Sequence, residues 1–254
     1  MRNFFRRVQL LARGIRIFKD WNIWLAERFG INRRTGLGTF RLRNGITFAI
    51  DYSTSLVGTF NEVWLMDFYE KHHRIQRGET VIDIGAHIGI FAVLAASKGA
   101  TVYAYEPTPG SYELLCRNTA RWPVVHAFPL AVADTTGTVS FVETAGPASS
   151  GNMVVYTAPS QATPSHSFTA KSTTLAEIFS ENHIEQCDLL KVDCEGAEVE
   201  IFKNVPDGVC QKIKNIAMEY HHNLPEMRKI LEAKGFKIVE SDATDIGYIW
   251  LTRV

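Results

Sequence analysis

The residues with most chemistry in them are carboxylates and glycines at the ends of short apolar runs. The stretch Val81, Ile82, Asp83, Ile84, Gly85, Ala86, His87, Ile88, Gly89 reads as a buried strand that enters a glycine turn and then a helix. About twenty residues later, Val102–Pro107 reads as the next strand, ending on the carboxylate of Glu106. In an open parallel sheet, ligands settle at the carboxyl ends of the strands. An acidic side chain after the second strand hydrogen-bonds ribose hydroxyls. The pattern predicts a nucleoside-containing cofactor lying across Gly85, Ala86 and Gly89, with its sugar at Glu106.

Glycine spacing selects among nucleosides. A dinucleotide needs G-x-G-x-x-G, because its pyrophosphate must reach bare backbone. Here His87 stands where the second glycine should be, and Asp83 adds negative charge just before the turn. A sulfonium with an amino-acid tail tolerates that carboxylate; a diphosphate does not. The expected cofactor is S-adenosylmethionine.

A second cluster follows. Asp188–Glu198 places carboxylates where a fourth strand leaves the sheet, and a fifth strand runs out through Glu219 into His221 and His222. Strand-end carboxylates and imidazoles can serve as positioned proton acceptors, which typically assist a reaction about 10²–10⁴-fold. Asp193, Glu195, Glu219 and His221 are the catalytic candidates, since all fall at carboxyl ends of adjacent strands. Glu195 and Glu198 also suit the first turn of a following helix, where the dipole alone favours carboxylates. Cys194 alternates to the other side of the strand exit and reads as packing. The four candidates could surround a hard divalent cation, but nothing in their spacing demands one, and no metal is expected.

The elements that must position these residues follow from periodicity. Strands are expected near 81–84, 102–105, 124–128, 188–192, 214–220, 236–240 and 247–251, and helices near 89–98, 109–121, 173–182, 196–204 and 224–234. This alternation argues for a parallel sheet covered on both faces. Pro109 suits a first helical turn and Gly235 a helix C-terminus. Ala131–Val142 reads as an antiparallel hairpin turning at Gly137, and residues 144–172, rich in Ala, Ser, Thr, Pro and Gly, as a long loop or lid. Upstream, Thr39–Ile50 alternates around Asn44-Gly45, a strong hairpin signal. Phe60–His72 reads as one helix with Val63, Trp64, Phe68 and Tyr69 facing inward. The expected layout is a helical extension over 1–35, a hairpin-and-helix cap over 36–78, and the cofactor-binding domain over 79–254.

Charge is unevenly spread. The 254 residues carry 27 Lys and Arg against 27 Asp and Glu, yet residues 1–43 hold eleven of the basic residues and only Asp20 and Glu27 of the acidic ones. Phe4, Val8, Leu11, Ile15 and Phe18 recur at helical spacing, so residues 3–29 form one basic amphipathic helix, or two broken near Gly14 or Asp20. That helix either packs on the sheet domain, lies on an anionic membrane surface, or makes a dimer contact. Overall neutrality speaks against wrapping nucleic acid by phosphate neutralisation. Four cysteines without a C-x-x-C pair suggest a reduced, cytoplasmic setting. No apolar run is long enough to span a membrane, and the N-terminus does not resemble a signal peptide. Peripheral contact with the inner membrane face stays open.

Motif order and spacing identify a resemblance. The glycine turn, the Glu106 strand end, Thr174–Ile178, the run Lys191, Val192, Asp193, Cys194, Glu195, Gly196, Ala197, Glu198, and Asn215–His222 together resemble the FkbM-type methyltransferases, from about Thr39 to Val254. The resemblance implies a class I methyltransferase fold, an α/β, Rossmann-like architecture with a seven-stranded, mostly parallel sheet. It implies S-adenosylmethionine as methyl donor and a hydroxyl of a sugar, glycan or secondary metabolite as acceptor. By position, Asp83, Gly85 and Gly89 would frame the methionine end, Glu106 the ribose, and the turn around Ala133 and Asp134 the adenine. Asp193 would sit where the methyl points. An N- or carboxyl-methyltransferase, or a non-catalytic binding module on the same frame, are the alternatives. The chain lacks the Asn-Pro-Pro-Tyr or Asp-Pro-Pro-Tyr segment by which nucleic-acid amino methyltransferases grip an exocyclic amine.

Overall fold

The computed structural model describes residues 2–31, 34–54, 57–143, 152–154, 167–194 and 196–254. The chain divides between Phe68 and Tyr69 into two units. The first contains helices α1 (Arg2–Ile17) and α2 (Trp21–Arg28), strands β1 (Leu37–Arg41) and β2 (Thr47–Asp51), and helix α3 (Val57–Phe60), which continues as a π-turn over Asn61–Leu65. The basic helix is broken at Phe18–Asp20, where the amides of Lys19 and Asp20 bond the Arg41 carbonyl. The Asp20 carboxylate accepts from the Arg41 amide and guanidinium, which holds it below the usual carboxylate range.

The core of this unit is aromatic. Phe18, Phe40, Phe48 and Phe60 meet edge-on or tilted with centroids 4.5 to 6.0 Å apart, and Trp24 donates its indole N–H to buried Asn61 at 2.9 Å. A Cβ on Gly14 would lie 2.6 Å from the Trp24 ring. That contact rotates α1 away from the expected stripe: Gly14 and Phe18 are buried, while Val8 and Ile15 are 46% and 40% exposed. The hairpin forms as expected around Asn44-Gly45, with Phe40 opposite Phe48. The single helix expected over Phe60–His72 does not form. Asp67 adopts φ +54, which ends the helical path before a 3₁₀ turn over Phe68–Glu70. Val63, Trp64 and Tyr69 are buried and Phe68 is half-buried.

The second unit contains β3 (Thr80–Ile84), α4 (Ile90–Ser97), β4 (Thr101–Tyr105), α5 (Pro109–Thr119), β5 (Val125–Phe128), β6 (Ala131–Val132), β7 (Gly137–Glu143), β8 (Asn152–Val154), β9 (Ser167–Thr173), α6 (Leu175–Glu181), β10 (Cys187–Val192), α7 (Glu198–Lys203), α8 (Asp207–Cys210), β11 (Ile213–His221), α9 (Leu224–Ala233), β12 (Phe236–Ser241) and β13 (Ile246–Arg253). Seven strands form one sheet in the order β12-β13-β11-β10-β3-β4-β5, and only β13 runs against the rest. This is the α/β, Rossmann-like arrangement of class I methyltransferases. Apolar side chains on one face (Ile82, Ile84, Leu190, Val192, Ile216, Met218) pack with α6, α7 and α9 through Ile178, Phe202 and Leu231. The alternate positions carry Asp83 and Lys191, paired across β3 and β10. Strand alternation thus places this charged pair on the sheet face opposite those side chains.

The hairpin expected over Ala131–Val142 is not formed. Two-residue β6 pairs in parallel with β9, and β7 pairs with β9 antiparallel, so Gly137 opens a strand rather than a turn. Phe141 stacks on Phe168 across that pairing at 4.9 Å. Strands β8 and β9 therefore occupy part of the stretch expected to be loop. The remainder, 144–151 and 155–166, lies outside the described residues. Among the described residues no helix is long and apolar enough to cross a membrane, and all four cysteines are free thiols.

Candidate active site

The carboxyl ends of β3, β4 and β10 are drawn together by one close approach. Gly85 has φ +72, and a Cβ there would stand 1.7 Å from the Asp193 carbonyl oxygen. Only glycine fits. The Asp193 amide in turn donates to the Ile84 carbonyl at 3.1 Å. The Tyr105 carbonyl accepts from both Gly85 and Ala86 at 3.0 Å, tying the turn to the end of β4. Gly89, at φ +84, opens α4 against Leu115, whose Cδ1 would lie 2.7 Å from an added Cβ.

Glu106 follows β4 and is buried. Its Oε2 accepts the His87 amide and its Oε1 the Thr108 amide, both at 2.8 Å. The Thr108 hydroxyl also bonds this carboxylate, which is fixed in direction by its donors and keeps part of its acceptor capacity. Burial pushes the Glu106 carboxyl up, and the amides of Thr108 and His87 pull against it. His87 adopts φ +51. Burial, followed by the nearby Lys191 charge, lowers its imidazole to about 4, so the ring is neutral at pH 7.

Lys191 is the residue that sequence reasoning missed. It is 4% exposed, and its Nζ lies 2.6 Å from the Gly85 carbonyl, 3.2 Å from Asp83 Oδ1 and 3.6 Å from Asp193 Oδ2. Burial opposes its charge, but Asp83 and then Asp193 outweigh that penalty and hold the amine above its ordinary range. Neither Asp83 oxygen makes an aligned hydrogen bond, so Asp83 and Lys191 attract as charges, without donor–acceptor geometry. Burial pushes the Asp83 carboxyl up, and Lys191 opposes it. Asp193, half-buried, accepts the Tyr69 hydroxyl at 3.0 Å on Oδ2. Tyr69 is itself gripped edge-on by Phe91 and Tyr248. The available sequence signal was a lysine inside an otherwise apolar strand, at the alternation position facing Asp83.

A second cluster forms beyond β11. The β10–β11 pairing ends at Val192 opposite Met218, so Asp193 is level with half-buried Glu219. His221 stands two residues further out, about 6–7 Å along the strand. His221 Nδ1 lies 3.1 Å from Glu198 Oε1. Glu198 is 1% exposed, and the same oxygen accepts the Gly196 amide at 3.0 Å and the Cys194 thiol at 3.5 Å. Its place in the first turn of α7 is thus a minor part of its role. Cys194 sits against the core; burial, then the Glu198 charge, push its thiol well above the ordinary range, which leaves it a poor nucleophile. His222 turns to the surface and pairs with Asp245 at 2.6 Å. Asp134, half-buried after β6, accepts from Thr135 at 3.4 Å. Glu195 lies outside the described residues. Among the described residues no group of three or more His, Cys, Asp or Glu could hold a metal ion.

Around the glycine turn the chain offers buried acids, one compensating lysine and a neutral imidazole. Such surroundings suit a cationic ligand with hydroxyls to donate. They do not suit a diphosphate, which would meet His87 and Asp83 where it needs bare amides.

Comparison with known proteins agrees with that chemistry. The chain is 27% identical over 197 residues to methyltransferase sdnD of Sordaria araneosa, covering 64% of this chain and 75% of that protein. It is 27% identical over 147 residues to the hexuronic acid methyltransferase AglP of Haloferax volcanii, covering 58% of this chain and 57% of that protein. Against the 31-O-demethyl-FK506 methyltransferase FkbM of Streptomyces tacrolimicus it is 25% identical over 235 residues, covering 79% and 89%. The family profile of the methyltransferase FkbM domain matches residues 83–238, a span that holds Asp83, Glu106, Lys191, Asp193, Glu198 and His221. The chain belongs to the FkbM family of methyltransferases.

Proposed function

We propose that this methyltransferase uses S-adenosylmethionine and transfers its methyl to a hydroxyl oxygen of a small molecule or glycan. The observation that carries this reading is His221, held through Nδ1 by buried Glu198 at the outer end of β11. A carboxylate on Nδ1 favours the tautomer protonated there and makes the imidazole a better proton acceptor, which is what an unactivated hydroxyl requires. S-adenosylmethionine, when bound, supplies a methyl already electrophilic on its sulfonium.

The chain's residues supply placement. Glu106 accepts the ribose hydroxyls with its remaining lone pairs, Gly85, Ala86 and Gly89 give the bare approach, Asp83 faces the cationic end, and Asp134 borders the adenine. Asp193, braced by Tyr69 and Lys191, orients the acceptor hydroxyl, with Glu219 beside it. His221 takes the proton. Glu195 is a further candidate by its place in the sequence. Alignment of this kind is worth about 7–11 kcal/mol of barrier, and the base about 10²–10⁴-fold. The names of two relatives, one for a hexuronic acid and one for a 31-O-demethyl compound, support an oxygen-rich acceptor.

Calorimetry with S-adenosylhomocysteine and with NAD separates the donor readings: we expect binding of the first alone, and preference for NAD would end the proposal. Mass spectrometry of the product of an acceptor panel must then show the new methyl on oxygen. A methyl on nitrogen or on a carboxylate would overturn the acceptor half.

A further inference from the structure

The first unit leaves uncovered part of the apolar stripe that the sequence singled out. Val8 and Ile15 lie two turns apart on one side of α1 and are 46% and 40% exposed, with Leu11 half-buried between them. Of ten exposed large apolar side chains among the described residues, seven fall in residues 1–68, about a quarter of the chain: Val8, Ile15, Trp21, Phe29, Ile31, Leu37 and Met66. The same region is strongly basic. Residues 1–43 have an excess of nine positive charges, and Asp51, Glu62 and Asp67 leave an excess of six over residues 1–68. Arg16 and Lys19 flank the stripe and are exposed.

We propose that this unit docks on an anionic lipid surface, with α1 lying in the plane of the interface and its Val8–Ile15 side toward the acyl boundary. A basic helix with aliphatic and aromatic side chains on its opposite face binds this way, and each basic residue near such a surface adds attraction. α1 is about 24 Å long at 1.5 Å per residue, enough to lie along a headgroup layer. Two other occupants fit worse. A second copy meeting through the same surface would set the positive excess against itself. A nucleic acid would satisfy the arginines but offer little apolar surface to Val8, Ile15 and Ile31.

The test is co-sedimentation of the full chain with phosphatidylcholine vesicles, with and without phosphatidylglycerol, over a salt series. Binding is expected only to the anionic vesicles and should weaken as salt rises. Val8→Asp/Ile15→Asp, both at exposed positions, should bind about tenfold or more weakly with unchanged circular dichroism. Arg16→Gln/Lys19→Gln should weaken binding about 25-fold, about fivefold per charge. Equal binding to both vesicle types, no binding to either, or unchanged binding by Val8→Asp/Ile15→Asp would overturn the proposal. So would a dimer in equilibrium sedimentation that Val8→Asp/Ile15→Asp dissociates.

Discussion

Replacing Glu198 separates its support of the fold from its support of His221. In Glu198→Ala the Gly196 amide and His221 Nδ1, now 3.0 and 3.1 Å from one buried oxygen, lose their acceptor. The half-buried His221 donor left unpaired costs about 1–3 kcal/mol, the exposed Gly196 amide can turn to water, and the space emptied by a fully buried side chain adds about 1–2 kcal/mol, so the variant should lose about 2–5 kcal/mol. At about 2–4 °C per kcal/mol for a chain of this size, Tm should fall by about 5–20 °C. Glu198→Gln keeps the volume and one carbonyl oxygen, so its stability loss should stay near a single unpaired donor, about 1–3 kcal/mol. Catalysis should suffer more: an imidazole without a neighbouring negative charge loses tautomer control, and kcat should drop about 10²–10⁴-fold. KM for the donor should hold, because Glu198 touches no residue of the glycine turn. Steady-state kinetics with labelled donor, alongside thermal melts, reads both quantities. A Glu198→Gln enzyme with kcat within about threefold of the parent, or a loss carried wholly by donor KM, would refute the role given to His221.

Three further outcomes follow from the same geometry. Lys191→Met strands Asp83 in a fully buried position, so denaturant unfolding should show a loss of about 3–5 kcal/mol; a loss below about 1 kcal/mol would mean Asp83 is already neutral. If Glu106 holds the ribose as proposed, Glu106→Gln exchanges charge-assisted bonds for neutral ones, and calorimetry should show S-adenosylhomocysteine binding weakened about 10- to 100-fold. Because burial raises the Glu106 carboxyl, parental affinity should decline on acidification from a pH above the ordinary 4.5, a decline Glu106→Gln should lack. Asp20 shifts the other way: Arg41 holds its folded value below 3.8. Its stabilisation is therefore present above about pH 4 and lost as pH falls through the folded value. Asp20→Asn should cost about 1–2 kcal/mol at pH 7, discounted for the half-exposed Arg41, and nothing near pH 2; a constant difference at both would refute the ion pair.

The sheet was legible because its central strands are apolar runs broken by a single charge, Asp83 in Val81–Ile84 and Lys191 in Leu189–Val192, and the first hairpin because Asn44-Gly45 permits few other turns. What was missed has physical causes. Two-residue β6 cannot declare its partner, which lies forty residues away in β9. Periodicity over Phe60–His72 cannot register the positive φ of Asp67. The buried side of α1 was set by a glycine that accommodates Trp24, a residue without hydrophobicity to count. In the site, Asp83, Gly85 and Glu106 announced themselves by spacing. Lys191 and Glu198 did not, because a charge inside an apolar run or at a helix start acquires its meaning from groups distant in sequence.

The contact between Gly85 and the Asp193 carbonyl has a consequence for how such an enzyme can change. With no space between two strand ends, the turn after β3 and the backbone that carries Asp193 are one mechanical part, so in the proposed function the donor and acceptor sites cannot drift apart or be tuned separately. If the acceptor is held as proposed above, new acceptors are then accommodated at the outer end of β11. Libraries that randomise that segment and leave 83–89 and 191–193 untouched should keep donor affinity while exploring acceptor choice.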